Sequence, residues 1–132
     1  MRYLLDTNTV SDFFRRHPAV LARFQQVAPG DLAISSVTVM EIEYGMERQP
    51  AARKKFGQVW ADIRSDIQVL TYNTQDAVQT AQIRAHLARL GTPIGPFDLQ
   101  LAGTALARRL TVVTNNTDEF SRVPELTLED WR

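Results

Sequence analysis

The chain has 132 residues, of which 44% are hydrophobic and 23% are charged, a composition typical of one globular domain. It contains no cysteine, which excludes disulfide bonds, zinc–thiolate sites and thiol nucleophiles. Its 15 basic and 15 acidic side chains cancel, so the net charge does not by itself indicate a nucleic-acid partner.

The chain opens with a short apolar run that predicts a buried strand. Tyr3–Leu5 form this run, and Asp6 follows it too early for a signal peptide. No apolar run approaches the roughly 20 residues that a membrane-spanning helix needs. We therefore expect a cytoplasmic protein with no membrane partner.

Strand and helix patterns alternate along the rest of the chain. Short apolar runs between turn residues predict strands, and apolar residues that recur every three or four positions predict helices. Ser35 and Ser36 can cap a helix, Gly91 can end one, and Pro96 suits a first helical turn. In chain order, the predicted elements are a strand at 3–5, a helix after Thr7, a helix from Pro18, a strand at 32–34, helices at 37–47 and 51–65, a strand at 67–70, helices at 74–90 and 96–109, a strand at 110–113, a loop at 115–118 and an edge strand at 126–128.

This alternation predicts an α/β fold in which helices cover both faces of a mostly parallel sheet of four or five strands. No repeat or linker interrupts the chain, so we expect a single domain over residues 1–132. Ligands of such sheets bind beyond the carboxyl ends of the strands. Polar residues that directly follow strands are therefore the candidates for a functional site.

Acidic and amide side chains occupy several of these positions. Asp6 follows the first strand, and Glu41 lies on the helix after the second. Asp98 opens the helix before the fourth strand, which Asn116 and Glu119 follow. Because the carboxyl ends of parallel strands meet at one edge, we expect these side chains to converge there.

Helical spacing predicts the direction of two of the acids. Glu41 shares a stripe with Val37, Met40 and Tyr44 that is otherwise apolar, so we expect it to point inward and Glu43 to face solvent. Asp98 likewise shares a stripe with apolar residues of its own helix, at positions 101, 102, 105 and 106.

Carboxylates gathered without basic partners repel one another, and burying them is costly unless they are paired or bind a metal. Few cations lie near Asp6 or Asp98 in the sequence. Mg²⁺ prefers oxygen ligands and often uses only one or two carboxylates, and we expect Mn²⁺ to substitute for it. Such a site can activate water for phosphoryl displacement. The structural alternatives are that Asp6 and Asp98 serve as helix-capping acids and that Glu41 pairs with an arginine.

At these residues the sequence resembles the PIN-domain ribonucleases, and more closely the VapC toxins of type II toxin–antitoxin systems. The resemblance covers essentially the whole chain, in the order of the family's motifs. The matching segments are Leu4–Asn8, Ile34–Gly45, Gly91–Asp98, Val112–Phe120 and Val123–Trp131.

The resemblance implies a role for each acid. Asp6 and Asp98 match the two aspartates that bind Mg²⁺, and Glu41 matches the third acid of the family. Asn116 stands where many relatives have Asp, and Glu119 stands before a phenylalanine where others have Asp. The fourth ligand is therefore open, with Asn116 and Glu119 as the candidates. The implied catalytic set is Asp6, Glu41, Asp98 and Glu119.

The resemblance also implies supporting residues and partners. Thr114 and Asn115 match polar positions that line the cleft, and Asn8 matches a residue that helps to hold Asp6. The implied activity is Mg²⁺-dependent cleavage of structured RNA, and the implied candidate substrate is tRNA, in particular initiator tRNA. The implied partners are a VapB-like antitoxin, a second copy of the chain in a homodimer, and DNA contacted only through the antitoxin.

Two other functions fit parts of the sequence. Asp6-Thr7-Asn8-Thr9 resembles the signature of aspartyl-phosphate hydrolases, but Asn8 replaces the second acid that their chemistry needs. Alternatively, the chain is a weakly catalytic module that acts mainly as the partner of a DNA-binding antitoxin in a repressor complex. For RNA binding, we expect phosphate contacts from arginines at the rim of the cleft, at positions 15, 16, 84 and 89.

Overall fold

The computed structural model describes residues 1–132. Its centre is a five-stranded sheet in which every neighbouring pair of strands is parallel. The strands are β1 (Tyr3–Leu5), β2 (Leu32–Ser35), β3 (Gln68–Leu70), β4 (Thr111–Val113) and β5 (Leu128–Glu129). Their order across the sheet is β3-β2-β1-β4-β5, which confirms the predicted α/β fold.

Seven helices connect the strands, and their ends carry the predicted signals. The Ser35 hydroxyl accepts a hydrogen bond from the backbone N–H of Val37, and Gly91 ends its helix with a left-handed φ of 70°. Besides a 3₁₀ turn at Pro29–Asp31, the helices are α1 (Thr7–Phe14), α2 (Pro18–Gln26), α3 (Ser36–Arg48), α4 (Pro50–Asp66), α5 (Thr74–Leu90), α6 (Pro96–Arg108) and α7 (Thr117–Phe120).

Two predicted boundaries near the C-terminus were wrong. The loop expected at 115–118 is shorter, because Thr117–Phe120 form a helical turn that the fully buried Phe120 anchors to the core. The last strand lies at Leu128–Glu129, later than the predicted 126–128, and it pairs with β4 as an edge strand. Single turns and two-residue strands are too short to produce a readable period.

Each face of the sheet carries its own core. Leu4, Ala33 and Val112 pack with residues of α5 and α6 on one face. Leu5 and Val113 pack on the other face with residues of α1, α2 and α4 and with Trp131. None of the helices has both the length and the hydropathy needed to cross a bilayer.

The strand order places a crevice between β1 and β4. The chain steps outward from β1 to β2 and β3, and then crosses to the other side of β1 to form β4 and β5. Helices that leave neighbouring strands in opposite directions open a crevice at the carboxyl ends of those strands. Asp6 directly follows β1 and Thr114 directly follows β4, so both residues lie at this crevice.

Candidate metal centre

Asp6 is fixed in place at the carboxyl end of β1. Its Oδ1 accepts a hydrogen bond of 2.8 Å from the backbone N–H of Thr9, so it caps α1 as one alternative predicted. Its Oδ2 accepts a 2.5 Å hydrogen bond from the hydroxyl of Thr114, a fully buried residue 108 positions away. Only 3% of Asp6 is exposed, and this burial raises the pKa of its carboxyl group despite both hydrogen bonds.

Asp98 and Glu119 are joined through the amide of Asn116. The Asn116 Nδ2 donates to Asp98 Oδ2 at 3.1 Å and to Glu119 Oε2 at 2.7 Å. The backbone N–H of Asn116 donates to the Thr114 hydroxyl at 2.9 Å. A continuous chain of hydrogen bonds therefore links Asp6 through Thr114 and Asn116 to the other two acids.

The ionisation of Asp98 responds to its acidic neighbours. Burial, the hydrogen bond with Glu119 and the negative charges of Glu119, Asp6 and Glu41 raise the pKa of Asp98 to about 7. The pKa of Glu119 is instead lowered, first by the hydrogen bond from Asn116 and then by the one shared with Asp98. Of this pair, Asp98 is therefore the acid that accepts a proton more readily, and its pKa responds to the charges of the three other acids.

Glu41 approaches the same crevice from α3. Its Oε1 accepts a 2.6 Å hydrogen bond from the hydroxyl of Thr7, which follows Asp6 in the chain. Glu43 turns away and forms an ion pair of 3.1 Å with Arg53 of α4. The structure therefore brings Glu41 and not Glu43 towards Asp6, and Glu41 has no arginine partner.

The predicted stripe around Glu41 was nevertheless wrong in detail. Met40 and Tyr44, expected to face the core with it, are 43% and 61% exposed. The buried face of α3 is the adjacent one, formed by Val37, Thr38, Ile42 and Met46. Glu41 is half-buried beside this face, which the sequence pattern conceals because one of its members, Thr38, is polar although fully buried.

Among the predicted supporting residues, Thr114 contacts Asp6 but Asn8 does not. The Asn8 amide lies at the surface, where it donates to Asn115 Oδ1 at 3.4 Å. Thr9, and not Asn8, holds the Asp6 carboxylate, through its backbone N–H. Its hydroxyl also donates to the carbonyl of Val113 at 2.9 Å. Its position three residues after a capping acid is the signal that could have identified it.

Three more residues near the crevice differ in how they relate to the four acids. Thr7, the hydrogen-bond donor to Glu41, was not predicted as a site residue, and no local pattern marks it. Asn116 turns its amide nitrogen towards the carboxylates, so in this arrangement it is a bridge between Asp98 and Glu119. Asp118, from the same loop, is exposed, and its side chain forms no hydrogen bond with the four acids.

The arrangement of acids is compatible with a hard divalent cation. None of the five ion pairs of the protein includes Asp6, Glu41, Asp98 or Glu119. In this conformation no three carboxylate or histidine side chains are grouped closely enough to hold one ion. Mg²⁺ commonly takes one or two carboxylates and keeps several waters, so a magnesium site does not require a third carboxylate.

Comparison with known proteins identifies the family. The PIN-domain family model matches residues 3–126. The chain is 43% identical over 131 residues to the tRNA(fMet)-specific endonuclease VapC of Salmonella typhimurium, covering 99% of this chain and 98% of the relative. The chain belongs to the VapC ribonucleases of the PIN-domain family. A second VapC relative, Ribonuclease VapC2 of Haemophilus influenzae, is 36% identical over 132 residues, covering 99% of this chain and 98% of that protein.

Solved structures of VapC proteins have the same fold. The DNA-bound VapBC from Salmonella typhimurium matches with a TM-score of 0.91 at 44% identity, covering 100% of this chain and 99% of that one. VapBC2 from Rickettsia felis, bound to a DNA fragment from its promoter, matches with a TM-score of 0.90 at 29% identity, covering all of both chains. The names of the relatives support a catalytic VapC over a weakly catalytic module.

The arginines expected at the rim of this VapC site occupy different places. Arg15 lines a small cleft together with Thr7 and Glu41, so it lies beside the acids. Arg84 lines a separate groove of about 510 Å³ between α5 and α6. Arg16 lines a third cleft, between α1, α2 and α4, so of these three arginines only Arg15 shares a cleft with an acid of the candidate metal centre.

Proposed function

We propose that the chain cleaves structured RNA as a Mg²⁺-dependent endoribonuclease and is the toxic component of a toxin–antitoxin pair. The observation that carries this proposal is the convergence of four acids on one crevice without a cationic partner. Hydrogen bonds through Thr114 and Asn116 hold three of them in fixed relation. Holding unpaired carboxylates partly buried in this way costs folding free energy, which a bound metal ion would offset.

We assign the following roles to the acids. Asp6 and Asp98 hold the ion, since Asp6 is buried and immobilised and Asp98 is the acid most affected by its negative neighbours. Bound Mg²⁺ would neutralise the carboxylates and the scissile phosphate and favour attack by water. Glu41 and Glu119 orient the water that attacks the phosphate, and Thr7 and Asn116 keep their carboxylates directed into the crevice.

For the substrate, initiator tRNA is the first candidate. A relative that is 43% identical over nearly its whole length is named for its action on tRNA(fMet). The acid site carries no specificity for a sequence, so recognition must come from surfaces around it. Arg15 is the basic side chain beside the acids that can contact a neighbouring phosphate.

We propose a VapB-like antitoxin as the partner of the chain. The support is that similar chains were solved as VapBC assemblies, two of them with DNA. The uncompensated acids would attract a basic side chain of such a partner, which would block the metal centre. We expect the toxin itself to form a homodimer and to meet DNA only through the antitoxin.

The test compares acids that lie inside and outside the crevice. RNA ends are sequenced after expression of wild type, Asp6→Asn, Asp98→Asn and Asp118→Asn. We expect new 5′ ends and growth arrest with wild type and Asp118→Asn, and neither with the other two. Purified wild type should cut initiator tRNA with Mg²⁺ and not with EDTA. Undiminished cleavage by Asp6→Asn and Asp98→Asn would refute the proposal.

A further inference from the structure

A small cleft opens beside Glu41, between α1, α3 and the beginning of α4. Its volume is about 210 Å³, and Thr7 and Glu41 form part of its wall, so it is continuous with the candidate metal centre. Polar side chains lie at its mouth and buried apolar ones at its base. The former are Ser11, Arg15 and Gln49, and the latter are Ile42 and Met46.

Gly45 lies on the wall of this cleft, and the fold gives no reason for a glycine there. It is in the interior of α3, where glycine is among the least favourable residues. Its φ is not positive, and a Cβ added to it would meet no atom within 4 Å. Neither backbone conformation nor packing within the chain requires glycine, so the open space points to a molecule that approaches α3 from outside.

We propose that this cleft binds the base of the nucleotide next to the cleavage position, an inference that rests on the proposed ribonuclease function. Glu41 belongs both to the candidate metal centre and to the wall of the cleft. A phosphate held at Asp6 and Asp98 therefore brings its neighbouring nucleotide to the mouth of the cleft. An unpaired base offers flat apolar faces and polar edges, which match the apolar base and polar mouth of the cleft. The guanidinium of Arg15 can stack on that base or contact its phosphate.

Variants that fill the cleft test this proposal from the side of the protein. Gly45→Leu places a side chain in the open space, and Gly45→Ala adds only one carbon to it. Gly57→Ala is the matched control, because Gly57 lies inside α4, does not line the cleft, and would make only ordinary contact with Arg53 through an added Cβ. Melting temperatures and Mn²⁺ binding establish that each variant is folded and holds the metal.

We expect Gly45→Leu to raise KM for an initiator tRNA transcript about 10-fold or more, the loss of one stacked base, with Mn²⁺ affinity unchanged. Gly45→Ala should raise KM less, and Gly57→Ala should not change it. Once the cleavage position is mapped, a short RNA that spans it is made with an abasic residue on either side. For one of these RNAs, wild type should show the same rise in KM, and Gly45→Leu should add nothing further.

The outcomes separate this proposal from the proposed function. If wild type cuts no RNA in Mg²⁺, both are overturned. Suppose that wild type cuts RNA but Gly45→Leu has an unchanged KM, or raises KM by the same factor for every abasic RNA. Then only the proposal that the cleft binds a base is overturned. If Gly45→Leu cuts RNA normally but no longer binds a VapB-like antitoxin that binds wild type, the cleft belongs to a protein partner and the proposal is likewise wrong.

Discussion

Replacing Asp98 by Asn should stabilise the metal-free protein. Burial and neighbouring acids raise the pKa of Asp98 from its ordinary value of 3.8 to about 7. At neutral pH the folded state must therefore either hold a proton that the unfolded state releases or bear an unfavourable charge. For a fully enclosed group this costs up to about 4 kcal/mol. Because Asp98 is partly open to solvent, we expect Asp98→Asn to gain about 1–3 kcal/mol.

The pH dependence of this gain has a definite sign. Below the unfolded pKa both states are protonated and Asp98 costs nothing. Between pH 3.8 and about 7 only the folded state retains the proton, so wild-type stability falls as pH rises, and above that window the full cost is present. The advantage of Asp98→Asn should therefore be small near about pH 4 and largest at about pH 8.

Urea denaturation in EDTA measures this difference. Trp60 and Trp131 are both buried, so their fluorescence reports unfolding. Added Mg²⁺ should stabilise wild type more than Asp98→Asn, since only wild type keeps both metal-binding carboxylates. Equal stability of the two proteins in EDTA at about pH 8 would refute the argument that these acids are gathered at a cost to the fold.

Three further substitutions test individual contacts. Glu41→Gln should reduce RNA cleavage about 100-fold while Glu43→Gln retains it, since only Glu41 faces the crevice; equal losses in a cleavage assay would contradict this. Thr7→Val should lower kcat about 10-fold by releasing Glu41, and Thr7→Ser, which keeps the hydroxyl, should restore it; the same loss in both would mean that the methyl group matters instead. Gly103→Ala should destabilise the fold by about 1–3 kcal/mol in thermal unfolding, because its Cβ would collide with the Thr80 hydroxyl where α5 and α6 cross; an unchanged melting temperature would rule out that close packing.

The sequence was sufficient to locate Asp6 and Asp98 because local signals mark both positions. Asp6 ends an apolar run, and Asp98 follows the proline that begins α6. Because the carboxyl ends of parallel strands meet at one edge of the sheet, residues that follow those strands lie together there, and side-chain packing need not be known to predict this. The contacts that orient these acids could not be predicted, because Thr114 and Asp6 are 108 residues apart and meet only through the register of β1 with β4.

The face of α3 was harder to predict than its existence. Two adjacent stripes of this helix each contain apolar residues, and a period of 3.6 does not separate them. The polar Thr38 lies on the buried stripe, whereas the aromatic Tyr44 lies on the exposed one, so polarity alone predicts the wrong face. The role of Asn8 was wrong for a similar reason, since the turn after Asp6 directs the backbone of Thr9 and not the Asn8 amide to its carboxylate.

The measurement that tests the account most directly is calorimetric titration of the protein with Mn²⁺. The account predicts binding to wild type, binding about 10-fold weaker or worse in Asp98→Asn, and wild-type affinity in Asp118→Asn. Absence of binding to wild type, or equal affinities in all three proteins, would contradict the claim that these acids converge in order to hold a metal ion.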